Sequence, residues 1–121
     1  MSHARLHIAL AAFAAGLLIN PPAVRAASAD SGRNAFVQHG CWECHGFQGQ
    51  GSTASSGGKV IADTKLPLDA FRSFVRNTKG AMPPFSAKMV SDADLADIYA
   101  YLESRPQPKS AKDIPLLSAL K

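Results

Sequence analysis

Cys41, Trp42, Glu43, Cys44 and His45 stand in a row, and they include both cysteines of the 121-residue chain; His39 lies two positions before the first thiol. Three chemistries use such residues. A structural zinc site takes two ligand pairs from separate turns and sets them at the corners of a tetrahedron. His39, Cys41, Cys44 and His45 fall within seven consecutive residues, too short a stretch to surround one ion, so zinc is disfavoured. A thiol–disulfide exchanger carries its Cys-x-x-Cys at the end of a strand in a βαβ unit. No segment here alternates as a strand does, and the segment after the pair is rich in glycine. The third chemistry is haem attachment. The thiols of Cys-x-x-Cys-His lie one turn apart and match two vinyl groups on one side of a porphyrin. Each adds across a vinyl to form a thioether, and the adjoining imidazole reaches the proximal position of the iron. This reading employs Cys41, Cys44 and His45 together. Trp42 and Glu43 are then spacers, with Trp42 a candidate for the edge of a contact surface.

What occupies the other face of the iron decides the function. His39 is on the same side of the attachment site as His45 and reads as a solvent-facing helix-end histidine. His3 and His7 fall in the N-terminal leader described below. Met82 sits in Gly-Ala-Met-Pro-Pro-Phe-Ser, where two prolines fix φ and stiffen the segment. A stiff loop suits a thioether on iron, because that bond is weak. Met82 is therefore the candidate distal ligand, ahead of Met89 in a more ordinary setting and ahead of the core-filling role usual for methionine.

Three helices are expected to position these groups. The first, about 31–38 and capped by Ser31, places Gly32, Ala35 and Phe36 on one side and runs directly into the cysteines. The second starts at Pro67, carries Leu68, Phe71, Phe74 and Val75 on one stripe, and stops at Lys79-Gly80. The third opens on a capping-box-like Ser91 and Asp94 and repeats Leu95, Ile98, Tyr99 and Leu102 at helical spacing up to a break at Pro106. Between the first two helices lies a loop of glycine and small polar residues. Its Ser-Ser-Gly-Gly-Lys-Val is no phosphate loop: Thr53 replaces the first glycine, Val60 replaces the Ser or Thr, and no strand precedes it. Residues 106–121 are broken by prolines and read as an extended tail, in which Ile114, Leu116, Leu117 and Leu120 can lie along the domain or a partner.

The N-terminus reads as a secretory signal peptide over residues 1–29. Arg5 precedes the twelve-residue apolar run Ile8 to Ile19, and small residues follow, allowing cleavage after Ala26 or Ala29. The run is shorter than the roughly 20 residues that span a bilayer, so no stable membrane insertion is expected. No twin-arginine pair is present, which implies export of an unfolded chain and cofactor attachment beyond the membrane. Without Arg5 and Arg25, the 13 Lys and Arg become 11 against 9 Asp and Glu, a formal +2. That balance, with no basic cluster, excludes a nucleic-acid footprint. Residues 30–121 make one small domain that buries about 60 to 65% of its unfolded surface and gains from a staple. A Cys41–Cys44 disulfide closes too small a loop to supply it; a covalently attached apolar ring supplies it directly.

Gly-Arg-Asn-Ala-Phe-Val-Gln-His-Gly-Cys-Trp-Glu-Cys-His-Gly, Gly-Ala-Met-Pro-Pro-Phe and Asp-Ala-Asp-Leu-Ala-Asp-Ile-Tyr-Ala-Tyr-Leu-Glu-Ser, in this order, resemble the three signatures of class I c-type cytochromes. The resemblance runs from Gly32 to Ser104. It implies an all-α cytochrome c fold over residues 30–105, with three or four short helices wrapped around one haem c attached through Cys41 and Cys44. It implies iron held by His45 and Met82, and first and last helices that cross with Gly32 and Phe36 against Ile98 and Tyr101. Two features depart from the family. The usual Gly-Pro segment, whose carbonyl holds the proximal imidazole, is missing from Gly-Gly-Lys-Val-Ile-Ala-Asp-Thr-Lys-Leu-Pro, so the group that orients His45 is open. The interval from His45 to Met82 is also short, which implies an exposed haem edge.

The expected function is that of a periplasmic monohaem carrier of single electrons, not an enzyme, either free or as the small subunit of a dehydrogenase. Its partners would be redox proteins: a dehydrogenase donor and an oxidase or another cytochrome as acceptor. A haem enzyme or gas sensor with an open distal position is the alternative, and a haem-free dithiol oxidoreductase a more distant one. Arg72 and Arg76, four apart on the second helix, fit equally the haem propionates or a solvated helix face.

Overall fold

The computed structural model of the protein describes residues 25–52 and 57–119. The apolar run of the leader and Leu120 lie outside the described residues. Among these residues five α-helices follow one another: α1 (Ala29–Gln38), α2 (Cys41–His45), α3 (Leu68–Asn77), α4 (Asp92–Glu103) and α5 (Pro115–Ser118). No strand occurs among the described residues.

Helix α1 starts two residues earlier than its composition predicts. Ser28, not Ser31, is its cap: the Ser28 hydroxyl oxygen accepts the N–H of Ser31 at 3.3 Å. Either serine satisfies the pattern, and only the fold selects between them. The helix does not run into the cysteines as expected. It ends at His39, the chain turns at Gly40, and α2 begins as a separate single turn. Helix α4 opens as expected, with Ser91 Oγ accepting the Asp94 N–H at 3.0 Å.

Helices α1 and α4 form the principal packing pair. They cross where Gly32 lies against the Asp97 and Ile98 backbone, the close approach that the resemblance implies. Beside the crossing, Phe36 and Tyr101 meet with ring centroids 5.7 Å apart. Phe36, Leu95 and Leu102 are fully buried, each stabilising the fold by roughly 1.5–3 kcal/mol. Helix α3 contributes Phe71 and Val75, but Phe74 is exposed, so the buried stripe is narrower than the sequence pattern indicates. Phe74 sits at the flank of that stripe, where an apolar residue is tolerated without being covered.

The loop after α2 is fastened to α4. Tyr101 donates its hydroxyl to the Phe47 carbonyl at 2.8 Å, and the Asp63 N–H donates to the Leu102 carbonyl at 2.8 Å. Tyr99 ties the approach to α3 by donating to the Leu66 carbonyl at 2.7 Å. The C-terminal segment is not extended throughout: a 3₁₀ turn (Ala111–Asp113) and the one-turn α5 interrupt it. Pro115, at the first position of α5, favours the turn it was expected to break.

Candidate haem site

Helix α2 is one turn long, so Cys41 and Cys44 project from adjacent levels of the same side, with His45 next in line. Both thiols are free and half-buried. Burial pushes the Cys41 thiol up to about 11. Disulfide exchange needs a thiolate, so Cys41 stays protonated at neutral pH and is a poor exchange nucleophile. Among the described residues, no three His, Cys, Asp or Glu side chains gather as a metal cluster.

His45 is oriented by a backbone carbonyl. Its Nδ1 lies 2.8 Å from the carbonyl oxygen of Lys59. A carbonyl can only accept, so Nδ1 carries a proton, and the neutral imidazole then keeps its lone pair on Nε2, the state an iron ligand needs. The group left open by the missing Gly-Pro is therefore Lys59 O, supplied by a Gly-Lys pair. Gly58 makes this geometry possible: a Cβ there would lie 1.8 Å from the Cys44 carbonyl oxygen. The loop returns so closely over α2 that a side chain has no room. Gly51 N–H also donates to the His45 carbonyl at 2.8 Å. Gly58→Ala is expected to lift the loop, cost about 1–3 kcal/mol, and weaken the bond that makes His45 a strong donor. Thermal melting reads the first effect and a raised midpoint potential of the haem protein the second.

Met82 lines the same apolar cavity as His45 and Cys41, a void of about 40 Å³. Phe36, Phe71, Val75, Leu95, Ile98 and Leu102 form much of its wall, and His45 is its one polar side chain. Met89 is 58% exposed and is absent from that wall. The Met82 segment is pinned at its far end: Phe85 N–H donates to the Val75 carbonyl at 3.0 Å, while Arg76 donates to the Phe85 carbonyl at 2.8 Å. Arg76 also bonds Asp92 Oδ1 at 2.7 Å, and this guanidinium holds the Asp92 carboxyl below its ordinary range.

Arg76 is thus committed to clamping the loop onto the start of α4, a role its i, i+4 spacing from Arg72 does not disclose. Arg72 has only a 3.4 Å contact with the exposed Asp69, and its buried Nε lacks a protein partner. His39 is not solvent-facing as expected. Its side chain is 19% exposed and its Nε2 lies 3.4 Å from Asp94 Oδ2, so it bridges the end of α1 to the start of α4. Trp42 stacks on Phe47 with centroids 4.4 Å apart and planes 9° from parallel, while Glu43 is an exposed spacer.

The fold and site define a class: a small all-helical domain that presents two thiols and an oriented imidazole from one turn to an apolar cavity. The chemistry of this donor set and the apolar character of this lining suit a covalently attached haem. The chain belongs to the cytochrome c family: residues 27–102 match the family described as cytochrome C oxidase, cbb3-type, subunit III. It is a monohaem cytochrome c, of a family of electron carriers. The chain is 32% identical over 112 residues to cytochrome c-555 of Methylococcus capsulatus, covering 87% of this chain and 89% of that one. It is also 36% identical over 84 residues to the lupanine 17-hydroxylase [cytochrome c] of a Pseudomonas species, covering 67% of this chain and 12% of the hydroxylase. No solved structure matches. None of the helices among the described residues is long and apolar enough to cross a membrane.

Proposed function

We propose that the protein is an exported, periplasmic single-electron carrier whose one haem c is bound through Cys41 and Cys44, with His45 and Met82 as its two iron ligands. The observation that carries this reading is that His45, already fixed in its Nδ1–H form by Lys59 O, shares one apolar cavity with Met82. When bound, the haem supplies a centre that takes up and releases one electron. The chain supplies the rest. Cys41 and Cys44 anchor the ring, and the bond from His45 to Lys59 O raises the donor strength of the imidazole. The loop clamped by Arg76 holds a weak thioether ligand in place without needing it to find its position each time. The apolar wall excludes water and disfavours extra charge on the iron, which together with methionine ligation favours a comparatively high potential. Arg72 is the better propionate partner of the two arginines, because its Nε has no protein acceptor while Arg76 is engaged twice.

A hydroxylase whose name includes cytochrome c, and a family described as an oxidase subunit, support a carrier that serves a dehydrogenase donor and an oxidase or cytochrome acceptor, whether free or docked. Visible spectra with intact mass of the exported protein test the reading. One covalent haem, a far-red ferric band and no carbon monoxide adduct are expected. Ready carbon monoxide binding without that band would make it a sensor or haem enzyme with an open distal position, and a mass without haem would return the dithiol reading.

A further inference from the structure

Asp97 lies in the middle of α4, is 3% exposed, and is the one buried charged side chain among the described residues. Its two oxygens are both used, and both reach the segment before α1. Oδ1 accepts the Ser28 N–H at 2.8 Å, and Oδ2 pairs with the Arg25 guanidinium. Ser28 in turn caps α1. The Asp97 backbone carbonyl lies under Gly32 at the helix crossing. One residue therefore ties the start of α1 to the centre of α4 through its side chain and its backbone. A buried carboxylate in such a place needs a partner, since removing the partner of a buried charge is strongly destabilising.

The two small-residue cleavage positions treat this carboxylate differently. A cut after Ala29 removes Ser28, and with it the amide on Oδ1 and the helix cap. It also sets a positive terminus on Asp30, inside the first turn of α1, where the helix dipole disfavours a cation. Asp97 then loses both of its bonds to residues 25–28. A cut after Ala26 removes Arg25 but retains Ser28, and it creates a new cation on the nitrogen of Ala27. That nitrogen is one residue from the amide already bonded to Asp97 and carries three donors.

We infer that the exported chain begins at Ala27 and that its α-ammonium group replaces Arg25 as the partner of the buried Asp97 carboxylate. The inference rests on the reading of the protein as exported. It leaves Arg25 outside the mature protein and makes the mature terminus a structural element of the α1–α4 crossing. The charged or titratable groups on the elements packed around Asp97 are Arg25 before α1, the exposed Asp30 and Arg33 on α1, His39 at its end, and Asp92, Asp94, Tyr99, Tyr101 and Glu103 on α4. Of these, Arg25 is the one bonded to Asp97, while Asp94 is engaged with Ser91 and His39.

Intact mass of the exported haem protein decides the first half. A chain starting at Ala27 is expected. A start at Asp30, or an uncut chain recovered from the periplasm, overturns the inference and leaves export standing, whereas a chain confined to the cytoplasm overturns export itself. The second half is read from melting temperatures of the mature protein and its Asp97→Asn variant, from about pH 7 to about pH 10, across the range in which an α-amino group loses its proton. Pairing with Asp97 favours the protonated amine, so its stabilisation is present at neutral pH and lost as the pH rises. The wild-type advantage over the variant is expected to shrink to less than half across that range, and a constant advantage overturns the pairing. If Asp97→Asn does not fold, reductive methylation of the wild-type terminus replaces it. The paired amine is expected to label several-fold more slowly in folded than in urea-unfolded protein, and equal rates overturn the pairing.

Discussion

Met82→Ala is expected to abolish the far-red band of the ferric protein, allow carbon monoxide to bind the ferrous form, and lower the midpoint potential on the order of 0.1 V, a fraction of the roughly 0.8 V that axial ligands span. Alanine cannot ligate iron, and on the proposed ligation its introduction at position 82 removes the ligand that favours the ferrous state. The surrounding segment is expected to stay in place. Phe85 N–H still bonds the Val75 carbonyl, and Arg76 still joins the Phe85 carbonyl to Asp92. The variant therefore tests the ligand with little disturbance of the fold. Met89→Ala is the control and should leave spectrum and potential unchanged, because Met89 is exposed and outside the cavity wall. Survival of the far-red band in Met82→Ala would reject Met82 and make Met89 the candidate.

Gly32→Ala is expected to cost about 3 kcal/mol or more, the top of the range for overpacking, measured as a lowered urea or thermal midpoint of the haem protein. The added Cβ would lie 1.9 Å from the Asp97 carbonyl oxygen, 2.4 Å from its carbon and 2.9 Å from the Ile98 nitrogen. All three are backbone atoms of α4, so no side chain can rotate away. The helices must separate by about an ångström in an interior packed as densely as an organic crystal. Separation also strains the Phe36–Tyr101 contact and the bond from Ser28 to Asp97. Replacing glycine with alanine gains up to about 1 kcal/mol of helix propensity, which the clash exceeds. Against a total stability of about 5–15 kcal/mol, the loss is large enough to reduce the yield of folded haem protein. A midpoint within about 0.5 kcal/mol of wild type, the usual bound for a neutral surface change, would show that the crossing is looser than Gly32 requires.

Both substitutions fall on residues the sequence singles out, yet their partners were legible to different degrees. Gly32 could be paired with the α4 segment only through the resemblance, because a glycine in a short helix has no pattern of its own. Met82 could be ranked above Met89 from its neighbouring prolines. The sequence carried no sign of Lys59 O, since a backbone carbonyl is common to every residue and only the returning loop brings this one to His45. Asp97 lies off the apolar stripe of its helix, so no local pattern marks it as buried; residues 25–28 supply its partners. His39 and Arg76 are similar cases. His39 reads as solvent-facing and Arg76 fits the propionates or a solvated face equally, yet each pairs with a carboxylate on α4, at Asp94 and Asp92.

Local order is what the chain determined by itself. Cys41, Cys44 and His45 stay together because they fall within five residues, Ser91 must cap α4 because an oxygen there meets the free amide of Asp94, and prolines stiffen the Met82 loop wherever it lies. These interactions span a few residues and need no distant partner. Tertiary structure decided which of two serines caps α1, which carbonyl orients His45, which arginine clamps the methionine loop, and what neutralises Asp97. Each joins groups on different elements, so each depends on a helix crossing or a loop closure, and spacing along the chain carries no measure of either.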